Sequence, residues 1–274
     1  MKVVNYPYVR KARKYSRLLI GAAKLKTFSE LNPRSMYSAG RVVVYPQIGL
    51  VYNRVRKAAN SSTLAFIAES LLLNGYDSFS ESDHELTKSA SRSYGKSIYE
   101  LSVEDVRRMS GFCFFTVVRN PYSRLLSAFL HKRNEALKGA LSYQKVPGML
   151  EGGASGFNDF VSFIESGGLF KDSHWWPQKD LLFLPVEKFD YIVKVESLAS
   201  GIEQVVSSVG LKCISKDSLS KPHCSETSLD GKVTNSSKLV GEYYSSTLIN
   251  RVYSIYKDDF ESFGYDPEDF IHGV

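Results

Sequence analysis

The sequence has few cysteines, and their number and spacing limit the chemistry open to the protein. Its 274 residues include three, Cys113, Cys213 and Cys224, an odd number without metal-ligand spacing. Cys113 lies within an apolar run, where a buried thiol is the ordinary explanation. We therefore expect a protein of a reducing cytoplasm, without a disulfide framework or a zinc site.

Long apolar runs are also missing. No stretch of about 18 uncharged apolar residues occurs, as a transmembrane helix would need. The first residues lack the apolar core and small-residue cleavage site of a secretory signal. With 43% hydrophobic and 13% aromatic residues, the chain can nevertheless bury one large core. We expect a soluble protein with an N-terminal arm, residues 1–34, followed by one main domain, residues 35–274.

The arm, residues 1–34, holds the excess positive charge of the chain. It contains nine Lys or Arg and one acidic residue, a local charge of +8, whereas the remaining 240 residues sum to −2. Between Tyr8 and Ala22, apolar residues recur at helical spacing with basic residues between them. Such an amphipathic basic helix favours an anionic membrane surface or an acidic polymer, and it is equally consistent with a solvated helix packed on the domain.

Two segments have the pattern of a strand that runs into a helix. The first joins the strand LVYNRV, residues 50–55, to a helix expected from about Ser61 to Leu73. The second begins with the continuous apolar run GFCFFTVV, residues 111–118, which is typical of a strand covered on both faces. The helix after it holds Pro121, a residue suited to a first helical turn.

Strands and helices continue to alternate downstream of these two units. The pattern predicts helices in residues 102–109, 157–166 and 198–210, a strand in residues 189–197, and a last helix from about Gly241. Alternation of this kind indicates an α/β fold with a largely parallel sheet.

The segment between the first strand and its helix has the features of an anion site. In open α/β sheets, ligands bind beyond the carboxyl ends of the strands. A helix N-terminus attracts phosphate through its unpaired N–H groups and its dipole. Lys57 and the hydroxyls of Ser61, Ser62 and Thr63 would complete such a cradle. The lysine comes first and the loop contains no glycine, which argues against an ordinary Walker A loop.

These residues resemble a known family, the Golgi-type carbohydrate sulfotransferases of sulfotransferase family 2. YNRVRKAANSST, residues 52–63, resembles their 5′-phosphosulfate loop, and FFTVVRNPYSRLLSAF, residues 114–129, resembles their 3′-phosphate motif. Residues 174–198, which begin HWWPQ, and residues 243–266 resemble two later landmarks in the same order. The chondroitin 4-O and HNK-1 types are nearest by pattern, with heparan 2-O enzymes similar at the first loop. The resemblance covers residues 42–266.

The resemblance implies a fold, a sulfuryl donor and a set of ligands. The fold would be three-layer α/β/α with a central parallel sheet of about five strands. The donor would be PAPS, 3′-phosphoadenosine 5′-phosphosulfate. Arg119 and Ser127 would hold its 3′-phosphate, with Arg124 as the alternative to Arg119, and Lys57 would stabilise the leaving 5′-phosphate. The whole first loop would contact the donor: Arg56, Lys57, Ala58, Ala59, Asn60, Ser61, Ser62 and Thr63.

Three features depart from the family pattern. Arg56 stands where the family usually has proline. A cysteine pair that often follows the His-Trp segment is absent, and no membrane anchor precedes the domain. The last two departures predict a bacterial member located in the cytoplasm, peripheral at the membrane if the arm binds there.

The general base has two histidine candidates, because an attacking hydroxyl must lose its proton and histidine suits that task near neutrality. His174 opens the segment HWWPQ, whose aromatic residues would bring the acceptor to the same loop. His84 lies between the two phosphate loops, where heparan 2-O relatives place their base, with Asp83 and Glu85 as carboxylate alternatives. For His131 we expect an ordinary surface role.

Several other side chains keep two interpretations. Trp175, Trp176 and Tyr94 would stack on a sugar or belong to the core, and large aromatic residues are more often core. Lys221 and His223 lie in a segment that corresponds to a loop near the nucleotide, or to a plain surface loop.

The prediction is a PAPS-dependent transfer of a sulfuryl group to a carbohydrate hydroxyl by in-line displacement. The acceptor would be a polysaccharide, a glycolipid or an oligosaccharide. The chemistry requires no metal, and we expect no nucleic acid partner. The alternative is a non-catalytic module that binds a nucleotide or an acidic glycan and keeps only the fold.

Overall fold

A five-stranded sheet forms the centre of the computed structural model, which describes residues 31–32, 34, 38–76, 94–212 and 236–268. The strands are β1 (Val42–Tyr45), β2 (Leu50–Asn53), β3 (Lys96–Ser97), β4 (Cys113–Val118) and β5 (Tyr191–Lys194). Their order across the sheet is β3-β1-β2-β4-β5. The predicted α/β class with about five strands is confirmed.

The sheet is mixed rather than wholly parallel. Strands β2, β4 and β5 run parallel to one another, whereas β1 is antiparallel to both β2 and β3. The reason is the short connection between β1 and β2, residues 46–49, because parallel neighbours need a crossover of a dozen or more residues. Pro46 and Gly49 in that connection are typical of a tight turn, and Gly49 has a φ of 62°.

Eight α-helices surround the sheet within the described ranges. They are α1 (Asn60–Leu73), α2 (Val103–Arg108), α3 (Pro121–Leu137), α4 (Leu141–Gln144), α5 (Gly153–Phe163), α6 (Leu198–Ser208), α7 (Ser236–Tyr243) and α8 (Ser246–Phe263). The single C-terminal helix expected from about Gly241 is divided into α7 and α8. Ser245 causes the division, because its side chain accepts a hydrogen bond from the backbone N–H of Leu248 and so starts a new helix.

The two central parallel strands are the most buried part of the sheet. Every residue of β2 is buried, and β4 is buried from Phe114 to Val118, as its continuous apolar run predicts. Tyr52 stacks on Phe115, with ring centroids 4.6 Å apart. The helices α1 and α6 share this core with the sheet, whereas α3, α5 and α8 form a second apolar cluster around Trp175. No helix in the part of the chain that the structure describes has the length and apolar content to cross a bilayer.

Candidate active site

Two loops meet at one edge of the sheet, at the carboxyl ends of β2 and β4. The strands are parallel, and Asn53 of β2 pairs with Thr116 of β4 in the register. Residues 54–59 lead from β2 into α1, and Arg119 and Asn120 lead from β4 into α3. Both predicted phosphate loops therefore lie at the edge where α/β sheets bind ligands.

The loop after β2 carries unusual backbone conformations. Lys57 and Ala59 have φ values of 66° and 47°, and they are the non-glycine residues with positive φ among those described. A side chain with a Cβ atom adopts this left-handed region at a cost of about 1 to 2 kcal/mol. The surrounding structure must hold both residues there, and strain of this kind is concentrated at functional sites.

The first residues of α1 hold this loop in shape. The Asn60 side chain accepts a hydrogen bond from the Tyr52 hydroxyl at 2.8 Å and donates one to the carbonyl of Val55 at 2.8 Å. Thr63, which is fully buried, donates from its hydroxyl to the carbonyl of Ala59 at 3.1 Å. Asn60 and Thr63 thus stabilise the loop through side-chain bonds within the protein.

The remaining predicted loop residues have different exposures. Ala58 is buried and Ser62 half-buried, whereas Ser61 is exposed. The N-cap position of α1 is Ala59, which has no side chain able to cap the helix. None of the three hydroxyl residues of the predicted cradle, Ser61, Ser62 and Thr63, therefore stands at the N-cap. Contact between Ser61 or Ser62 and a phosphate stays a prediction.

Arg124 connects the two loops from the interior. It is 1% exposed and lies in α3, where its Nε donates to the carbonyl of Arg56 at 2.9 Å and its Nη1 donates to the carbonyl of Trp176 at 2.8 Å. Two of its three guanidinium nitrogens thus stabilise the protein itself. The third, Nη2, is buried without a hydrogen-bond partner, and the choice between Arg119 and Arg124 as phosphate ligand stays a prediction.

Arg119 directly follows β4 and donates to two hydroxyl groups. Its Nε donates to the hydroxyl of Ser123 at 3.0 Å, and its Nη2 donates to the hydroxyl of Ser236 at 2.9 Å. Burial lowers the pKa of Arg119, and the nearby carboxylate of Glu196 opposes that effect. Ser127 is one helical turn beyond Ser123 on the same face of α3, and it is buried. The predicted pair Arg119 and Ser127 therefore shares one side of α3.

His174 forms a hydrogen-bonded chain with an aspartate and an arginine. Its Nδ1 lies 2.6 Å from Oδ1 of Asp172, and its Nε2 lies 2.9 Å from Nη1 of Arg56. The Tyr143 hydroxyl donates to Oδ2 of Asp172 at 2.7 Å. Because a guanidinium only donates, Nε2 must accept, and the proton of the neutral imidazole is on Nδ1.

Burial is the main reason why the imidazole of His174 is neutral. The pKa of His174 is lowered to about 4 by burial and by the charges of Arg56 and Lys132, against the opposing effect of Asp172. Burial alone would raise the pKa of Asp172, yet hydrogen bonds from His174 and Tyr143 hold it well below its usual range. At neutral pH the pair is therefore a carboxylate and an unprotonated imidazole, the arrangement that a general base requires.

His131 does not have the ordinary surface role expected from the sequence. It is half-buried in α3, and its ring stacks on that of His174 with centroids 5.5 Å apart. Burial lowers its pKa to about 4, and the charge of Lys57 contributes to the effect. A usable signal was the spacing of Ser127 and His131, which are four residues apart and hence on one face of α3.

A cavity of about 590 Å³ opens beside His174. It is lined by Arg41, Arg56, Lys132, Glu135, Tyr143, Lys171, Asp172, Ser173, His174, Trp176 and Leu181. Four of these residues are cationic and two are acidic. Both acidic residues have partners, since Glu135 accepts from Lys132 at 2.8 Å and Asp172 accepts from His174 and Tyr143. The cavity is therefore positively charged.

The aromatic residues divide between core and cavity. Trp175 is 1% exposed, and its indole N–H donates to the carbonyl of Gly168 at 3.0 Å, so it belongs to the core. Tyr94 is also buried in a core cluster. Trp176 is 8% exposed and belongs to the same core cluster, and it also lines the cavity.

Other predicted residues cannot be placed against this geometry. His84, with its neighbours Asp83 and Glu85, lies outside the described residues. The same is true of Lys221, His223 and residues 1–30 of the arm.

Comparison with known proteins agrees with this arrangement. The profile of the Sulfotransferase family matches residues 40–266, more than four fifths of the chain. The matched region includes both loops, Arg119, Ser127 and His174. No curated protein and no solved structure matches the chain. On the family match, the chain belongs to the sulfotransferase family.

Proposed function

We propose that the protein transfers a sulfuryl group from PAPS to a hydroxyl group of a carbohydrate. Family membership supports sulfotransfer in general. The observation that carries the finer proposal is the placement of two cationic loops, both with hydroxyl groups, at the ends of adjacent parallel strands. Arg124 connects the two loops from the interior of the protein.

The residues present suit a ligand with phosphates at both ends. Nε of Arg56 is buried and has no hydrogen-bond acceptor, and Arg119 donates to two neutral hydroxyls, those of Ser123 and Ser236. Cationic groups with neutral or missing acceptors gain most from an added anion, because charge-assisted hydrogen bonds are about twice as strong as neutral ones. Residues 56–63 would hold the 5′-phosphosulfate, and Arg119 with Ser127 would hold the 3′-phosphate.

PAPS would supply an activated sulfuryl group, with the 5′-phosphate as leaving group. Lys57 would neutralise the negative charge that grows on that phosphate. His174 would accept the proton of the attacking hydroxyl on Nε2, and Asp172 would stabilise the imidazolium through Nδ1. These residues would thus provide charge stabilisation and proton transfer, the two tasks besides positioning that sulfuryl transfer requires from a protein.

The cavity beside His174 is the proposed acceptor site. A volume of about 590 Å³ is within the range of small-molecule sites, so it can receive a sugar residue. Its lining is polar and positively charged, and Trp176 adds an aromatic edge. Polar side chains and an aromatic edge are suited to the hydroxyls and apolar face of a sugar.

Two measurements test this proposal. The first is calorimetry with PAP (adenosine 3′,5′-bisphosphate), AMP and ATP, and PAP is expected to bind most tightly. The second is transfer of labelled sulfate from PAPS to a panel of neutral, uronate-containing and sulfated glycans. PAP binding without transfer to any panel member would favour the non-catalytic module, and failure to bind PAP would contradict the proposed donor.

A further inference from the structure

Arg56 joins the donor loop to the candidate general base. It precedes Lys57 directly, and its Nη1 donates to Nε2 of His174 at 2.9 Å. Its Nε is buried without a hydrogen-bond acceptor. Burial lowers the pKa of this guanidinium, although Asp172 opposes the effect. Arg56 is thus a half-buried cation whose side-chain partner is a neutral imidazole.

This contact occupies the atom of His174 that base catalysis needs. Nδ1 already donates to Asp172, so Nε2 carries the lone pair that could take a proton. While Arg56 donates to that lone pair, an acceptor hydroxyl cannot. In this arrangement His174 has the tautomer that a general base needs, but its accepting nitrogen, Nε2, is occupied by Arg56.

We propose that Arg56 is a positioning residue that holds Nε2 of His174 until a donor phosphate binds the loop, and that it then turns to the phosphate and releases the base. The inference rests on the proposed function. Its physical basis is that a phosphate carries a negative charge, which attracts the guanidinium, and can accept two parallel hydrogen bonds from it, whereas the neutral imidazole accepts one. Nε would gain an acceptor in the same movement, so the change removes an unsatisfied buried group.

Release would also increase the basicity of His174. Other charged or titratable groups near the ring are Asp172 on its own segment and, from α3, His131, Lys132 and Glu135. Arg56 is the cation in direct contact with the ring. In the step that follows, the acceptor oxygen forms a bond to sulfur, the bond from sulfur to the 5′-phosphate oxygen breaks, and the hydroxyl proton moves to Nε2. The protonated ring later gives that proton to water.

Nuclear magnetic resonance of histidine-labelled protein tests the proposal, with the His174 signal assigned by its absence from His174→Gln. The probe is PAP at saturation, and its binding to every variant is checked by calorimetry. In the wild type, PAP is expected to move the Nε2 resonance toward that of a nitrogen without a hydrogen bond and to raise the midpoint of the His174 titration by about one pH unit. In Arg56→Met, the midpoint is expected to be raised before PAP is added, and PAP should change it much less.

Arg54→Met is the matched control, because Arg54 is in the same loop and donates to the carbonyl of Arg41 at 3.0 Å instead. It should respond to PAP as the wild type does. If Arg56→Met does not fold, Arg56→Gln removes the charge while it keeps a donor. Equal responses to PAP in the wild type and the Arg56 variant would overturn the inference alone. Failure of the wild type to bind PAP would overturn the proposed donor, and the inference with it.

Discussion

Replacement of Arg124 by methionine tests whether this arginine is structural rather than a phosphate ligand. The substitution keeps an apolar stem of similar length and removes the guanidinium. The variant loses the two hydrogen bonds that Arg124 donates to the carbonyls of Arg56 and Trp176. Asp259, which is fully buried in α8, loses its nearby counter-charge. A buried carboxylate would then depend on the backbone N–H groups of Gln178 and Lys179 alone.

The loss of folding stability in Arg124→Met should increase as the pH rises. The variant loses two hydrogen bonds donated by a charged group, at about 1.5 to 3 kcal/mol each, which together are a large part of the total of about 5 to 15 kcal/mol for a domain. Burial raises the pKa of Asp259 to about 6, although Arg124 opposes the rise. A raised carboxyl pKa contributes stability that is fully present below the unfolded pKa of about 4 and is lost as pH rises through the folded value. Without Arg124 the folded pKa rises further, so the variant should lose more stability at about pH 8 than at about pH 5.

Urea denaturation of both proteins at the two pH values measures this difference. The loss should be smaller at the lower pH by about 1.4 kcal/mol for each unit by which the pKa of Asp259 rises in the variant. Arg119→Met is the matched control, because Arg119 also donates two side-chain hydrogen bonds, in its case to the hydroxyls of Ser123 and Ser236. Its loss of stability should be about 1 to 2 kcal/mol and the same at both pH values. A loss below about 1 kcal/mol for Arg124→Met, or an equal loss at both pH values, would refute the structural role.

Three further predictions concern the donor, the base and the arm. Arg119→Ala should weaken PAP binding by about 1.5 to 3 kcal/mol, measured by calorimetry, and leave AMP binding almost unchanged; equal losses for both nucleotides would contradict the 3′-phosphate assignment. His174→Ala should lower kcat by about 10² to 10⁴ and remove the acidic limb of the pH profile, since a base is lost as pH falls through its pKa; a loss below about tenfold would move the role to another residue. A chain without residues 1–30 should lose salt-sensitive binding to anionic vesicles and keep its PAP affinity; equal vesicle binding by both chains would leave the arm a packing role.

The sequence was most informative where periodicity and turn residues agree. The buried strand β4 and the helices α1 and α6 follow from apolar runs of the right length and period. The antiparallel pairing of β1 was not predicted, although residues 46–49 contain the turn residues that require it. Whether two neighbouring strands run parallel or antiparallel depends on the length of the connection between them as well as on the alternation of strands and helices.

For the candidate site, local pattern located the loops but not the contacts between them. Lys57 was predicted from its place between a strand and a helix, His174 from the aromatic residues beside it, and Arg119 from the resemblance to the family's 3′-phosphate motif. Asp172 was not, because a carboxylate two residues before a histidine has no distinctive sequence signal until the chain turns back on itself. His131 was assigned to the surface, since helical spacing alone does not reveal which face of α3 meets the ring of His174.

The left-handed conformations of Lys57 and Ala59 have a consequence for how tightly the first loop can bind an anion. Glycine would adopt these angles without steric cost, but it would leave the free loop many other shapes. With lysine and alanine, and with Asn60 tied to Tyr52 and Val55, the loop already has one shape before a ligand arrives. A preorganised loop loses little conformational entropy on binding, so more of the free energy of each phosphate contact contributes to affinity. The energy of the strained backbone is supplied once, during folding, rather than each time a ligand binds.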